Sequence, residues 1–289
     1  MIALVGSVTL DIVIGVERHP APGSSVRSPP STVSPGGKGA NQAVAAARLG
    51  QEVAIVGRVG ADAAGHRLWE GLRAEGVGVE HLREDPDAPS GVALIAVAPD
   101  GENTIIVSPG ANGRVGPDDI EAASGLLADA AVTVVQLEIP EDAVRAAALA
   151  AGGTFVLNPA PARELDADLL ARVDVLVPNR GELELLAGPG DPADAARSLA
   201  GPRAIVVTLG ADGVLVVEGG HAEHVPAQPV DVVDTTGAGD TFCGALADAL
   251  ARGATLVEAA RWGVAAAALS VTRSGAQDGM PTAEMVRQL

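Results

Sequence analysis

Residues 234 to 242 read Asp-Thr-Thr-Gly-Ala-Gly-Asp-Thr-Phe. The β-branched run before them (Pro229, Val230, Val232, Val233) predicts a strand, and the Ala/Leu-rich stretch from Gly244 to Ala251 predicts a helix. Gly237, Ala238 and Gly239 would leave their backbone N–H groups unshielded at that helix's N-terminus. Free donors and the helix dipole there attract an anion such as phosphate. An aspartate among the donors repels phosphate unless it has a proton to take. As a general base, Asp240 would remove the proton of a hydroxyl that attacks a phosphoryl group. The structural alternative makes Asp240 a helix cap.

A second glycine turn, Gly36-Gly37-Lys38-Gly39-Ala40-Asn41-Gln42, feeds an Ala-rich helix over 43–49 that Gly50 closes. It is not a Walker A loop, because Gly39 follows Lys38 where that motif needs Ser or Thr. Lys38 is the only lysine among 19 basic residues, which marks it as a placed cation. Asp11, Glu138, Asn179 and Thr208 each follow an apolar run, so all four are expected at strand C-terminal ends. Ligands of open α/β sheets bind at that edge.

The elements that must carry these residues alternate. Strands are expected over 2–8, 53–59, 132–137, 154–157, 173–177, 204–209, 214–217 and 224–226. Helices are expected over 62–75, 117–128, 140–151, 165–171, 193–199 and 256–272, with another starting near Gly181. This predicts an α/β fold, a doubly wound, mostly parallel sheet with helices on both faces. Extended pieces over 12–18 and 24–34, and a hairpin over 91–107 turning at Pro99-Asp100-Gly101, fall outside the alternation. They predict a small β lid, built of pieces about 12–34 and 91–109 on a single domain spanning 1–289.

With 37 acidic against 19 basic residues the formal net charge is −18, which argues against nucleic acid and anionic membranes as partners. One cysteine, Cys243, excludes an intramolecular disulfide and a Cys-based zinc site, and the five histidines show no ligand spacing. No basic leader and no apolar run of membrane-spanning length is present, so a soluble cytoplasmic protein is expected. A nicotinamide-binding Rossmann unit is disfavoured, because Phe242 stands where its third glycine would be.

The two glycine signatures, in this order, resemble those of the ribokinase-like, phosphofructokinase-B-type carbohydrate kinases. Supporting matches run nearly the full length: Gly110-Ala111-Asn112, Gln136-Leu137-Glu138, Asn158-Pro159-Ala160-Pro161-Ala162, Thr208-Leu209-Gly210, and Thr272-Arg273 with Gly275-Ala276-Gln277. The resemblance implies ATP-dependent phosphorylation of a sugar's primary hydroxyl, with D-ribose the expected sugar, and a homodimer formed through the lid. Asp240 would be the base and Gly237, Ala238 and Gly239 the anion hole. The sugar would be held by Thr9, Asp11, Gly37, Lys38, Gly39, Asn41 and Glu138. Thr208, Leu209, Gly210, Ala211, Asp212, Gly213 and Gly239, with Asn179, would bind the nucleotide. Asn179 and Glu182 match an Asn-x-x-Glu motif that organises Mg²⁺ through water. K⁺ would sit on Asp234, Thr236, Ser270, Arg273, Gly275 and Gly279. Three positions depart from the family pattern: Thr9 replaces an usual Asn, Gly279 an usual Ser, and Val264 a residue often polar beside adenine.

Within that family a nucleoside kinase is the main rival. Recognition of a base favours aromatic stacking, and none of the four aromatics (Trp69, Phe155, Phe242, Trp262) falls in the lid pieces. A 2-deoxyribose or ketohexose kinase stays open because of Thr9. A non-catalytic sugar sensor would have lost the base or the anion-hole glycines, and both are intact.

Overall fold

The computed structural model describes residues 1–99 and 102–289, so the central residues of the turn expected at 99–101 lie outside the described residues. The first half of the chain forms β1 (Ile2–Val5), β2 (Thr9–Gly15), β3 (Thr32–Gly36), α1 (Lys38–Arg48), β4 (Val53–Gly60) and α2 (Ala63–Ala74). Then follow β5 (Val77–Asp85), β6 (Gly91–Val97), β7 (Asn103–Ser108), α3 (Pro117–Ala122) and α4 (Ser124–Asp129). The alternating half comprises β8 (Val132–Gln136), α5 (Glu141–Ala150), β9 (Thr154–Asn158), α6 (Ala167–Leu170), β10 (Val175–Leu176), α7 (Arg180–Ala187), α8 (Pro192–Ser198) and β11 (Ala204–Thr208). It closes with β12 (Val214–Glu218), β13 (His221–Val225), α9 (Ala238–Ala251), α10 (Leu256–Ser270) and α11 (Ala283–Arg287).

Nine strands make the main sheet, in the order β13-β12-β11-β10-β9-β8-β1-β4-β5. All neighbours are parallel except the antiparallel pairs β11–β12 and β12–β13 at one edge. The parallel strands are apolar at successive positions because both faces are covered. Within β1, Ile2 and Leu4 join a core with α1, α2, α9 and α10, while Ala3 and Val5 join the opposite core with α3 to α8. The doubly wound α/β expectation therefore holds.

The second sheet has four strands, ordered β3-β2-β6-β7, with β2 parallel to β6 and the outer pairs antiparallel. It begins at Thr9, three residues ahead of the expected boundary, and Asp11 pairs with Ser34 and Ala93 inside it. Asp11 is thus not at the end of a main-sheet strand: the chain turns at Gly6 to Val8 and enters the small sheet before reaching it.

Two expectations fail and two elements were not expected. No strand forms over 229–233; Val232 and Val233 are 62% exposed, since no neighbouring strand offers them partners. The helix expected over 117–128 is broken at Ala123, which leaves the helical conformation at φ −101°, ψ 9°. Sequence periodicity missed β5, because an irregularity in its pairing with β4 spaces the buried Val77, Val79 and Leu82 unevenly among charged residues. The closing helix α11 was also not expected.

Candidate active site

Two helix N-termini meet at the C-terminal edge of the main sheet. Helix α1 is preceded by Gly37, at φ +89°, where an added Cβ would stand 2.9 Å from the Ser7 carbonyl oxygen. Helix α9 is preceded by Gly237, in the left-handed region at φ +75°, with Ala276 packed against it. Such backbone favours glycine, and both turns have it. The two helices lie close: a Cβ on Gly244 would stand 2.6 Å from Ala45 Cβ. This contact sets Asp240, in the first turn of α9, against Asn41 and Gln42 of α1.

Asp240 is buried, and both its oxygens are hydrogen-bonded: Asn41 Nδ2 donates to Oδ2 at 2.9 Å and Gln42 Nε2 to Oδ1 at 3.0 Å. Glu138, two residues past β8, accepts on Oε2 from Ser7 Oγ at 2.5 Å and from the Lys38 backbone N–H at 3.0 Å. Asp11 accepts from Thr9 Oγ1 at 2.8 Å. Its close packing on Gly36 leaves no room there for a side chain, as a Cβ would meet the carboxylate at 2.1 Å.

The charges are strongly coupled. Burial pushes the Asp11 carboxyl above its ordinary value, the Thr9 hydroxyl pulls it down, and Glu138 and Asp240 push it further up. For Lys38, burial works against the charge, but Asp240, Glu138 and Glu182 together outweigh it and hold the ammonium above its ordinary value. Burial also raises Glu182, against the Asn179 N–H and Lys38. Cys243, fully buried, is pushed up by burial and by Asp240, so its thiol stays protonated.

A cavity of about 160 Å³ collects Lys38, Asn158, Ala160, Val177, Asn179, Glu182, Thr208, Gly237, Gly239, Asp240 and Cys243. Asn179 and Glu182 form a reciprocal cap at the start of α7: Asn179 Oδ1 accepts from the Glu182 N–H, and Glu182 Oε2 from the Asn179 N–H, each at 2.8 Å. A larger apolar cleft of about 520 Å³ opens beside it, and Thr208 and Gly239 line both. Gly210, Ala211, Gly213, Ala238 and Val264 line the cleft as well. So do Val230 and Val232: the segment expected as a strand serves as an irregular cleft wall.

Leu209 and Asp212, expected beside the nucleotide, do not line the cleft. Leu209 packs into the core beneath the helices α3 to α8, and Asp212 is exposed, its carbonyl 2.6 Å from the His224 ring. The residues expected around K⁺ gather in a separate loop cluster. Asp234 accepts from the Thr236 N–H on Oδ1 and from the Gly275 N–H on Oδ2, both at 2.9 Å. Burial pushes Asp234 up, but these donors bring it below its ordinary value. A Cβ on Gly279 would lie 2.5 Å from the Ser270 carbonyl oxygen and 3.1 Å from that of Gly275, so glycine is there for close packing. Arg273 is exposed.

A match to the family model described as pfkB family carbohydrate kinase covers residues 1–283. The chain belongs to this family. It is 37% identical to the ribokinase of Haemophilus influenzae, over 97% of this chain and 95% of that protein. It is also 37% identical to the deoxyribokinase of Salmonella typhi, over 99% and 97%. Among solved structures, Arabidopsis thaliana ribokinase complexed with ribose and ATP superposes with a TM-score of 0.90 at 33% identity, over 99% and 97% of the two chains. Members of the family are carbohydrate kinases, and two adjoining cavities, one of them lined by a buried carboxylate, suit such an enzyme.

Sequence reading gave no role to Ser7, Gln42, Gln136, Asn158 or Gln277, all buried beside the site. A signal was present for two of them: Gln136 and Asn158 are polar residues at the ends of apolar strands, like Thr208.

Proposed function

We propose that the protein transfers the γ-phosphoryl group of ATP to the primary hydroxyl of D-ribose, giving ribose 5-phosphate and ADP. The observation that carries this reading is the buried carboxylate of Asp240, in the first turn of α9, lining a polar pocket that shares Thr208 and Gly239 with an apolar cleft. The full-length likeness to proteins named ribokinase supports the sugar.

Asp240 takes the hydroxyl proton as the sugar oxygen bonds to phosphorus and the bond to the β-phosphate oxygen breaks. The N–H groups of Gly237 and Gly239 face the charge on the transferring group, while the Ala238 N–H donates to the Thr235 carbonyl at 3.2 Å. Nothing stands within 4 Å of a Cβ built on Gly239, so there is room for a phosphoryl group against that backbone. Asp11, Asn41, Glu138 and the Lys38 ammonium bind the sugar hydroxyls, with Gly37 and Gly39 bringing backbone close to it. The apolar cleft takes the adenine, and the 210–213 turn with Thr208 takes the remainder of the nucleotide.

Among the described residues no group of three His, Cys, Asp or Glu side chains could hold a metal ion. That suits Mg²⁺, which keeps several waters and binds through one or two carboxylates plus phosphates. Glu182, with Asn179, would hold it, and its charge would neutralise the phosphate oxygens. For K⁺, the carbonyls of Ser270 and Gly275 and the Asp234 carboxylate offer oxygen donors in one loop cluster, and Gly279 supplies no side-chain ligand.

Val33, Leu94 and Ile106 share one face of the small sheet and are between 37% and 63% exposed, an apolar row that a second copy would cover in a homodimer through a lid. Among the described residues no helix is long and apolar enough to cross a membrane, which accords with a cytoplasmic setting. A second reading, 2-deoxyribose as substrate, is favoured by Thr9: its hydroxyl is engaged by Asp11 at 2.8 Å. The test is ³¹P NMR of the product formed from D-ribose and ATP with Mg²⁺: a 5-phosphate monoester is expected, and a 1-phosphate or no product refutes the assignment.

A further inference from the structure

The Asp240 carboxylate is held on both oxygens by amide NH₂ groups, from Asn41 at 2.9 Å and Gln42 at 3.0 Å. An amide can present either its NH₂ or its oxygen, and only the NH₂ attracts a carboxylate. Each of the two amides is locked against the flip by another. Gln277 Nε2 donates to Asn41 Oδ1 at 3.0 Å, and Gln136 Nε2 donates to Gln42 Oε1 at 2.6 Å. Gln42 Nε2 also donates to Asn158 Oδ1 at 3.2 Å, and Asn158 Nδ2 to the Val177 carbonyl at 2.9 Å. All five amides are buried, so solvent does not compensate a wrong orientation.

Gln136 supplies a separate indication. Its Oε1 is buried with no hydrogen-bond partner, and it lies 2.0 Å from where a Cβ on Gly6 would be. An orphaned acceptor in the central strands costs stability and calls for an explanation. An apolar residue would avoid the cost but would remove the donor that holds the Gln42 oxygen away from Asp240, leaving the longer contact to Asn158 to orient that amide. The NH₂ of Gln136 is what the site needs from that position.

We propose that Gln42, with Gln136 behind it, and Gln277, acting through Asn41, are positioning residues that fix the plane of the Asp240 carboxylate for proton transfer from the sugar. The proposal rests on the reading of Asp240 as the base. Asn41 and Gln42 are successive residues of α1 and diverge by about 100° around the helix. Both reach one carboxylate because Asp240 enters between them from the first turn of α9.

The test is steady-state kinetics of the full chain with D-ribose and ATP·Mg²⁺ for Gln42→Met, Gln136→Met, Asp240→Asn and the Gln42→Met/Asp240→Asn double variant. Gln42→Met is expected to lower kcat on the order of ten- to hundredfold with the sugar KM within about twofold. In the Asp240→Asn background the same change is expected to cost nothing further. Gln136→Met is expected to give a smaller drop in kcat of the same signature without a lower melting temperature, and it carries the test if Gln42→Met does not fold. Unchanged kcat in the Gln variants, or an equal loss with and without Asp240, overturns the positioning role while leaving the base intact. Near-normal turnover of Asp240→Asn instead overturns the base reading, and the proposal with it.

Discussion

Asp240, Lys38 and Gly239 divide the chemistry between a base, a cation and a space. Asp240→Asn keeps the size of the side chain and removes the proton acceptor, and its NH₂ loses one of the two amide contacts because it meets a donor of Asn41 or Gln42. Turnover is expected to fall about 10²- to 10⁴-fold with sugar and ATP affinities nearly unchanged, measured by kinetics and calorimetric binding. Gly239→Ala is a complementary probe. Its methyl meets no protein atom within 4 Å, so the melting temperature should hold, while kcat falls because the methyl takes the space of the phosphoryl group. A variant that melts early would place Gly239 among the structural glycines instead. Asp11 adds a pH dependence. Its carboxyl is raised above the ordinary 3.8, mainly by burial, so the native state holds a proton that the unfolded chain has released. The contribution of Asp11 to stability therefore falls as pH rises from about 3.8 through its folded value. Asp11→Asn lacks that loss, so its stability relative to the parent should rise across this window in denaturant titrations; a constant difference would contradict the assigned shift.

At the level of elements, the site depends on α1 and α9 lying close enough for their first turns to share side chains. Gly244 permits this, since a Cβ there would press on Ala45 Cβ at 2.6 Å and on the Gln42 carbonyl at 2.7 Å. Gly244→Ala is expected to cost on the order of 1–3 kcal/mol in chemical denaturation and to lower turnover by moving Gln42 off Asp240. A fully active, fully stable Gly244→Ala protein would show that the helix contact does not set the site. The sequence makes α1, α9 and the parallel strands legible because each carries a strong local signal, a glycine turn followed by alanines or a short apolar run. Glu138, Asn179 and Thr208 could be assigned to one edge on that basis, whereas Asp11, assigned with them, lies inside the small sheet. Other features lack such signals. Segment 229–233 has the composition of a strand but no strand beside it, and β5 loses its alternation where its pairing with β4 shifts. Gln42, Gln136 and Gln277 are distant in sequence, and only the packing of α1, β8 and the 275–279 loop brings their amides together.

For the whole molecule, two sheets with different burial imply two tasks. The nine-stranded sheet is covered on both faces, whereas β7 is exposed along its whole length and carries Ile105, Ile106 and Val107. Light scattering at micromolar concentration should give the mass of a dimer. A Leu94→Asp/Ile106→Asp variant, altering two outward residues that pair across β6 and β7, should give a monomer that keeps its main-sheet fold. A parent protein that is monomeric would remove the dimer from the account. The central claim, that this pfkB-family enzyme phosphorylates D-ribose, is tested most directly by kcat/KM for D-ribose, 2-deoxy-D-ribose, fructose and a nucleoside, each with ATP·Mg²⁺ and read as ADP release. The expected result is the highest value for D-ribose; the highest value for 2-deoxyribose, fructose or the nucleoside would contradict it.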